Sequence, residues 1–375
     1  MVLPEKKIEC GCRPDACCGG YSSASEDDNF IDESGAGWVT GRKKTPAGDI
    51  PRVSTSLTSE DIIGSWKARW GTNRHNYKIK PGVYCVGEPT DRSPVLVTAN
   101  YKLTFDALRK ELADLDAWIM VLDTKGINVW CAAGKGTFGT GEIIRRIETT
   151  GLARIVSHRT LVLPQLGAPG VAAHEVLKKS GFRVVYGPVR AADIKEFISA
   201  GMKATKNMRS VEFTFADRIT LIPIELVQVI LPFAILVAVL AALNLAGIRL
   251  LSSPGGIIPY LGAVLAGCVV TPALLPWIPG RAFALKGWLT GFLWALIVDA
   301  YCFWSAPPSF SVSLGLFFLF CLPAISSYLA LNFTGASTYT SLSGVKKEIK
   351  TWLPVLIGSA GTGAAMIIIG LFFKF

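Results

Sequence analysis

Ala117-Trp118-Ile119-Met120-Val121-Leu122, followed by Asp123-Thr124-Lys125-Gly126 and then by Asn128-Val129-Trp130-Cys131-Ala132-Ala133-Gly134-Lys135, decides the fold. Six unbroken apolar residues make a strand covered on both faces, the turn residues end it, and the small residues after Asn128 read as a short helix. The alternation continues on either side. Pro94–Ala99 is a buried strand with the amphipathic helix Thr104–Leu115 behind it, and Gly141–Thr150 is helical. Leu161–Pro164 is a third strand, before the helix Val171–Ser180 that Gly181 stops. Phe182–Tyr186 is a fourth, before a last helix, Ala191–Ala200. Short apolar strands alternating with helices predict a parallel α/β sandwich, which binds ligands beyond the carboxyl ends of its strands.

Beyond this domain the chain changes character. Half of its 375 residues are hydrophobic, and its mean hydropathy is +0.41, too apolar for one soluble domain of this length. Five runs, Ile222–Leu243, Ile257–Trp277, Leu285–Trp304, Val312–Leu331 and Leu353–Phe372, are each long enough to cross ~30 Å of hydrocarbon. Trp277, Trp288, Trp304 and Trp352 sit near their ends, as an interfacial belt does. The expected organisation is a mobile, cysteine-containing tail over 1–55, an α/β domain over 56–205 opened by a lead-in segment Leu57–Gly87, a linker over 206–221, and an all-α membrane domain of five transmembrane helices over 222–375.

The net charge of +10 does not mark a nucleic-acid protein, because the Lys and Arg residues form no single basic helix or aromatic-interleaved patch. Lys203, Lys206, Arg209 and Arg218 precede the first run, Arg281 and Lys286 fall between the second and third, and Lys346, Lys347 and Lys350 between the fourth and fifth. The alternate loops hold only Arg249. The positive-inside rule then places the N-terminal domain in the cytoplasm, the chain in the inner membrane, and Phe375 outside. No signal peptide opens the chain. Asp299 falls near the outer end of its run, where an interfacial place outweighs an ion pathway.

The chemistry centres on Cys131. A large flat ligand approaches a helix closely only where side chains are missing, as at Ala132, Ala133 and Gly134. A thiol near a helix N-terminus with a lysine nearby is pushed toward the thiolate, which ligates soft metals. A buried structural thiol is the competing reading, and Trp130 is equally a core residue. Two decoys overlap the segment. Gly134-Lys135-Gly136-Thr137 lacks the spacing and hydroxyl residue of a P-loop. Gly134-x-Gly136-x-x-Gly139 begins well past the strand, with Arg159 where a dinucleotide fold wants an acid. In a reducing compartment the crowded Cys10, Cys12, Cys17 and Cys18 suggest metal capture rather than disulfides, against idle thiols on a tail. His158 and His174 read as packing or surface residues.

Asn128-Val129-Trp130-Cys131-Ala132-Ala133-Gly134-Lys135 resembles, without departure, the cap-helix motif of the mercury-methylating corrinoid proteins, the HgcA family. More widely, VTANYKLTFDAL from Val97, LVLPQLGAPGVAAHEVL from Leu161 and VVYGPVRAADIKEFI from Val184 are similar to the corrinoid domain of the corrinoid iron–sulfur protein of the acetyl-CoA pathway. The likeness spans about residues 80–200, and the five-span tail agrees with the first family.

The resemblance implies a Rossmann-like corrinoid-binding domain whose cap helix holds cobalamin. Asn128, Val129, Trp130, Cys131, Ala132, Ala133, Gly134 and Lys135 would contact it, Thr98 would touch the corrin or its lower face, and Cys131 would be the lower axial cobalt ligand. The Asp-x-His-x-x-Gly corrinoid motif is absent, since His75, His158 and His174 lack its flanking residues. The implied activity is transfer of a methyl group from methyl-Co(III) cobalamin to Hg(II), with Cys17 and Cys18 as candidate captors of the ion. The chain has no Cys-x2-Cys-x2-Cys-x3-Cys run, so the implied reductant is a small ferredoxin with two 4Fe–4S clusters. There is no room for a (β/α)8 barrel, so a separate methyltransferase would load the methyl group. Membrane lipid is the remaining partner, and nucleic acid is not one. Two alternatives stay open: a membrane-anchored corrinoid carrier for another methyl acceptor, and a transporter with a cytoplasmic regulatory domain.

Overall fold

The computed structural model describes residues 30–31, 36–248, 250, 256–305, 311–334 and 342–373. Two units emerge from its internal contacts, one over Ala24–Val211 and one containing Glu212–Phe375.

The first unit runs β1 (Val39–Thr45), β2 (Gly48–Val53), α1 (Ser59–Arg69), β3 (Gly82–Val86), β4 (Val95–Ala99), α2 (Lys102–Arg109), β5 (Ala117–Leu122), α3 (Val129–Lys135), α4 (Thr140–Thr150), α5 (Leu152–Ile155), β6 (Thr160–Leu163), α6 (Ala173–Ser180), β7 (Arg183–Tyr186) and α7 (Ile194–Ser199). The strands form one sheet in the order β1-β2-β3-β5-β4-β6-β7. Its β5-β4-β6-β7 portion is parallel, as the strand–helix alternation requires. The all-parallel expectation fails beyond it: β3 runs antiparallel to β5, and β1 and β2 form an antiparallel hairpin at the edge. The expected tail over 1–55 is corrected in the same way, since β1 and β2 lie within it, and the lead-in segment holds α1 and β3.

All residues of β4 and β5 are buried, because helices cover both faces. Val95, Val97 and Ala99 of β4 join the core that includes Val129, Ala132 and Ala133 of α3. Leu96 belongs to the opposite core, with Phe105 and Leu108 of α2 and Phe197 of α7.

A cluster of four charged residues lies inside this unit. Asp61 of α1 accepts from Lys102 Nζ at 2.6 Å and from Arg109 Nη2 at 2.6 Å. Asp106 accepts from the same two cations at 2.6 and 2.7 Å. All four residues are buried. Asp61 also closes a capping box with Thr58 at the start of α1. Burial alone lifts the Asp61 carboxyl. The Lys102 hydrogen bond, the Thr58 amide and the charges of Lys102 and Arg109 outweigh it and hold the pKa at about 2, below its ordinary 3.8. A depressed carboxylate stabilises the fold above its unfolded pKa and loses that contribution as pH falls. Asp61 is thus expected to make the domain acid-labile as pH drops from about 3.8 toward 2, and acid melts of wild type beside Asp61→Asn check it.

The second unit consists of α8 (Phe215–Leu245), α9 (Ile258–Leu265), a π-helical turn (Ala266–Val270), α10 (Thr271–Ala273), α11 (Phe283–Ser305), α12 (Val312–Phe333) and α13 (Leu342–Phe373). Among the described residues four helices, α8, α11, α12 and α13, are long and apolar enough to cross a membrane. That differs from the expected five. The run Ile257–Trp277 instead forms an interrupted apolar helix over Ile258–Ala273, with Pro272 just past the π-helical turn.

Candidate functional site

Asp123 to Gly126 turn the chain from β5 toward α3, and buried Asn100 at the end of β4 shapes that turn. Its Oδ1 accepts from the backbone amides of Thr124 at 3.1 Å and Gly126 at 3.0 Å. The Thr124 hydroxyl lies 2.9 Å from the same oxygen and 2.7 Å from the Ile127 carbonyl. Glu142 of α4 accepts the Asp123 amide at 2.9 Å while paired with Arg145 and Arg146. The Asp123 carboxyl is raised by burial, but hydrogen bonds and charge from Lys125 and the charge of Arg146 hold it below the usual range. Asn100 and Glu142 were not singled out in the sequence. The signal for Asn100 was an amide immediately after an apolar strand, where a polar side chain must serve a loop.

Asn128 is the N-cap of α3, its Oδ1 accepting from the Cys131 amide at 2.9 Å. The helix ends at Gly136, whose φ of +83° suits glycine. Between the caps the two faces separate cleanly. Val129, Ala132 and Ala133 are buried, whereas Trp130 and Cys131 are half-buried and Gly134 and Lys135 exposed. Cys131, Gly134 and Lys135 follow i, i+3, i+4 spacing, so they share the outward face.

The inward face rests on the segment after β6. A Cβ on Gly170 would meet the Phe138 carbonyl oxygen at 2.3 Å and the Ala133 Cα at 3.0 Å. Only glycine permits that approach of two backbones. Ala132 and Ala133 are buried in the core beneath α3, and the close approach of Gly170 is to the Ala133 backbone. Gly134 alone of the three small residues belongs to the open face. Thr98 pairs with Val121 in the sheet and is buried. By strand alternation it shares the face of Leu96, opposite the side of β4 that meets the α3 core. The structure does not bring it to α3.

These positions place α3 at a defined point of the sheet. From β4 the chain moves to β5 on one side and then returns to β6 on the other, so the strand order reverses between β4 and β6. Ligands of open α/β sheets bind outside the carboxyl ends at such a switch point. The helix that follows β5 packs on the segment that follows β6, and so caps that end of the sheet. The domain is a mixed α/β sheet domain in which the helix after β5 carries Cys131.

Comparison with known proteins agrees with that class. Residues 70–198 match the family described as the CO dehydrogenase/acetyl-CoA synthase delta subunit. The acetyl-CoA decarbonylase/synthase complex subunit gamma of Methanopyrus kandleri is 36% identical over 128 residues, covering 33% of this chain and 27% of that protein. The subunit of the same name from Methanocaldococcus jannaschii is 31% identical over 122 residues, covering 32% of this chain and 25% of that protein. That from Archaeoglobus fulgidus is 30% identical over 123 residues, covering 32% and 26%. The chain thus spans about a quarter of the length of the curated relatives it matches. The likeness is to the corrinoid proteins of the acetyl-CoA pathway, whose family binds a corrinoid cofactor.

The outward face of α3 fits such a group. Cys131 offers one soft donor beside Gly134 on the exposed side of α3, the kind of single ligand a cobalt corrinoid would take from the protein. Cys10, Cys12, Cys17 and Cys18 lie outside the described residues. Cys85, Cys268, Cys302 and Cys321 are buried or half-buried elsewhere, and burial raises the Cys85 thiol, which suits a packing residue.

Proposed function

We propose that this chain is a membrane-anchored corrinoid methyltransferase that holds cobalamin on the outward face of α3 and passes its methyl group to Hg(II), forming methylmercury. The observation that carries the reading is Cys131 standing on the open face of a helix whose other face is filled by protein. The Asn128–Lys135 motif and its resemblance to the mercury-methylating family supply the acceptor. When bound, the corrinoid supplies a cobalt that carries a methyl group. The Cys131 thiolate would hold the cobalt as a soft donor, which would suit transfer of a methyl group to a soft cation. Trp130 would pack on the macrocycle, Gly134 would leave it room, and Lys135 would favour the thiolate electrostatically.

A small ferredoxin with two 4Fe–4S clusters is the proposed reductant, and a separate methyltransferase the proposed source of the methyl group. Cys17 and Cys18 are proposed to capture Hg(II). Cys17→Ala/Cys18→Ala protein is then expected to bind cobalamin normally and to methylate more slowly only at limiting Hg(II), which a titration of methylmercury formation against ion concentration checks. A second reading, a corrinoid carrier for another acceptor, draws support from the acetyl-CoA pathway relatives. Visible spectra of reconstituted protein test the cofactor, and a methylmercury assay separates the two acceptors.

The two faces of α3 give a paired prediction. Ala133→Leu adds bulk in the buried core beneath α3 and is expected to cost the domain ~1–3 kcal/mol in thermal or denaturant melts. Gly134→Leu adds one carbon more, on the exposed side. It is expected to leave the melt near wild type while weakening cobalamin binding by roughly 5- to 150-fold in a spectroscopic titration. Unchanged affinity in Gly134→Leu would put the macrocycle elsewhere.

Five crossings, with the N-terminal domain cytoplasmic and Phe375 outside, remain the proposed topology. Internal contacts of the second unit support counting the interrupted helix as a crossing. Near its start, Tyr260 Oη donates to the carbonyl of Leu250, just beyond the end of α8. At its other end, Arg218 in the first turn of α8 donates to the Ala273 carbonyl at 3.3 Å, and Lys286 donates to that of Leu275. The interrupted helix therefore lies antiparallel to α8 and alongside part of it. With four crossings alone, Lys346, Lys347 and Lys350 would fall outside, against the positive-inside rule. A reporter fused at Lys346 is expected to read cytoplasmic, and an external reading refutes the five-crossing topology.

A further inference from the structure

Helix α1 is built inside out. Asp61, Gly64 and Ala68 face the domain, at the spacing of one helical face. Asp61 enters the buried ion cluster, a Cβ on Gly64 would meet the Tyr77 hydroxyl at 2.5 Å, and the Ala68 carbonyl accepts from Arg74 Nη1 at 3.3 Å. The large apolar side chains point the other way. Leu57, Ile62, Ile63, Trp66 and Trp70 are all exposed, Trp66 by 65%. The helix cannot roll to bury them without pulling Asp61 away from Lys102 and Arg109, so the exposure is fixed by the ion cluster. Patches of this kind mark contact with another surface.

We propose that α1 lies on the surface of an anionic lipid bilayer, with Ile62, Trp66 and Trp70 in the headgroup region. This rests on the reading that the second unit spans the membrane. Two features favour lipid. Lys67 and Arg69 are exposed beside the two tryptophans, and tryptophan with basic residues on one short helix is the composition of an interfacial helix. The α/β unit also ends at Val211 and the first apolar run begins at Ile222, a short tether that makes weak lipid contact effectively intramolecular.

The test uses the full chain labelled with 5-fluorotryptophan, in nanodiscs of mixed phosphatidylcholine and phosphatidylglycerol. Trp66→Phe and Trp70→Phe assign the two fluorine resonances. Adding a doxyl-labelled lipid is expected to broaden both signals to loss, while a soluble gadolinium chelate leaves them visible. Trp304, exposed near the end of α11, serves as the membrane control. Trp66 and Trp70 broadened by gadolinium and untouched by doxyl lipid, with Trp304 responding to the lipid probe, overturns the docking and leaves the membrane reading intact. Shielding of both from either probe also overturns it, in favour of a cover of protein, either a partner or the N-terminal residues of this chain. Trp304 responding only to gadolinium overturns the membrane reading and the docking with it.

Discussion

Cys131→Ala protein is expected to bind cobalamin with an altered visible spectrum and to make no methylmercury. The sulfur is positioned by three local features: the Asn128 cap that fixes the first turn of α3, the Ala132 and Ala133 contacts that seat the helix, and the Asn100 hydrogen bonds that set the turn before it. None of these depends on the Cys131 side chain, so the alanine variant should keep its fold and lose only the donor. The spectrum reads ligation and the assay reads catalysis, and the two should move together if the thiolate acts through cobalt. Cys131→His separates donor character from mere occupancy, because imidazole also ligates cobalt but is a less electron-rich donor. Its expected outcome is retained cobalamin with much of the activity lost. An unchanged spectrum together with full methylmercury formation in Cys131→Ala would remove the axial assignment.

The parallel core was legible because β5 is wholly apolar, β4 is apolar but for Thr98, and each is followed by turn residues. The edge was not. β1 reads Val-Thr-Gly-Arg-Lys-Lys-Thr and buries no residue fully, so it carries no apolar run to detect, and its lysines are those expected of an exposed sheet edge. β3 is a short Gly-Val-Tyr-Cys-Val run between Pro81 and Gly87, with too few residues to establish a period. At the site, the cap helix and its Asn128 cap follow from local sequence alone. What approaches Ala133 does not, because its backbone meets Gly170, a neighbour in space only. Smallness at a helix face signals close approach without saying whether protein or ligand approaches. The interrupted helix was hidden for a related reason. Hydropathy registers Ile257–Trp277 as apolar whether or not its backbone stays α-helical.

Asp61→Ala is expected to destabilise the α/β domain by ~3–5 kcal/mol, the range for removing one partner of a buried ion pair. The substitution leaves Lys102 and Arg109, both buried, with Asp106 as their remaining carboxylate. It also removes the acceptor of the Thr58 amide at 2.9 Å, and with it the capping box of α1. Burying the extra positive charge, not the lost packing of one small side chain, is the dominant cost. Asp61→Asn keeps the shape and one acceptor oxygen and should fall between wild type and Asp61→Ala in a denaturant melt. Arg109 distinguishes the ion cluster from a simple cap, because its Nη1 also donates to the Ser54 and Ser56 carbonyls just after β2. If the cluster ties α1, α2 and the β1–β2 hairpin into one unit, Asp61→Ala should raise hydrogen exchange in Ser54–Ala68 ahead of β4 and β5. Loss confined to the first turn of α1 would mean that Asp61 serves only as a cap, worth typically about 1 kcal/mol.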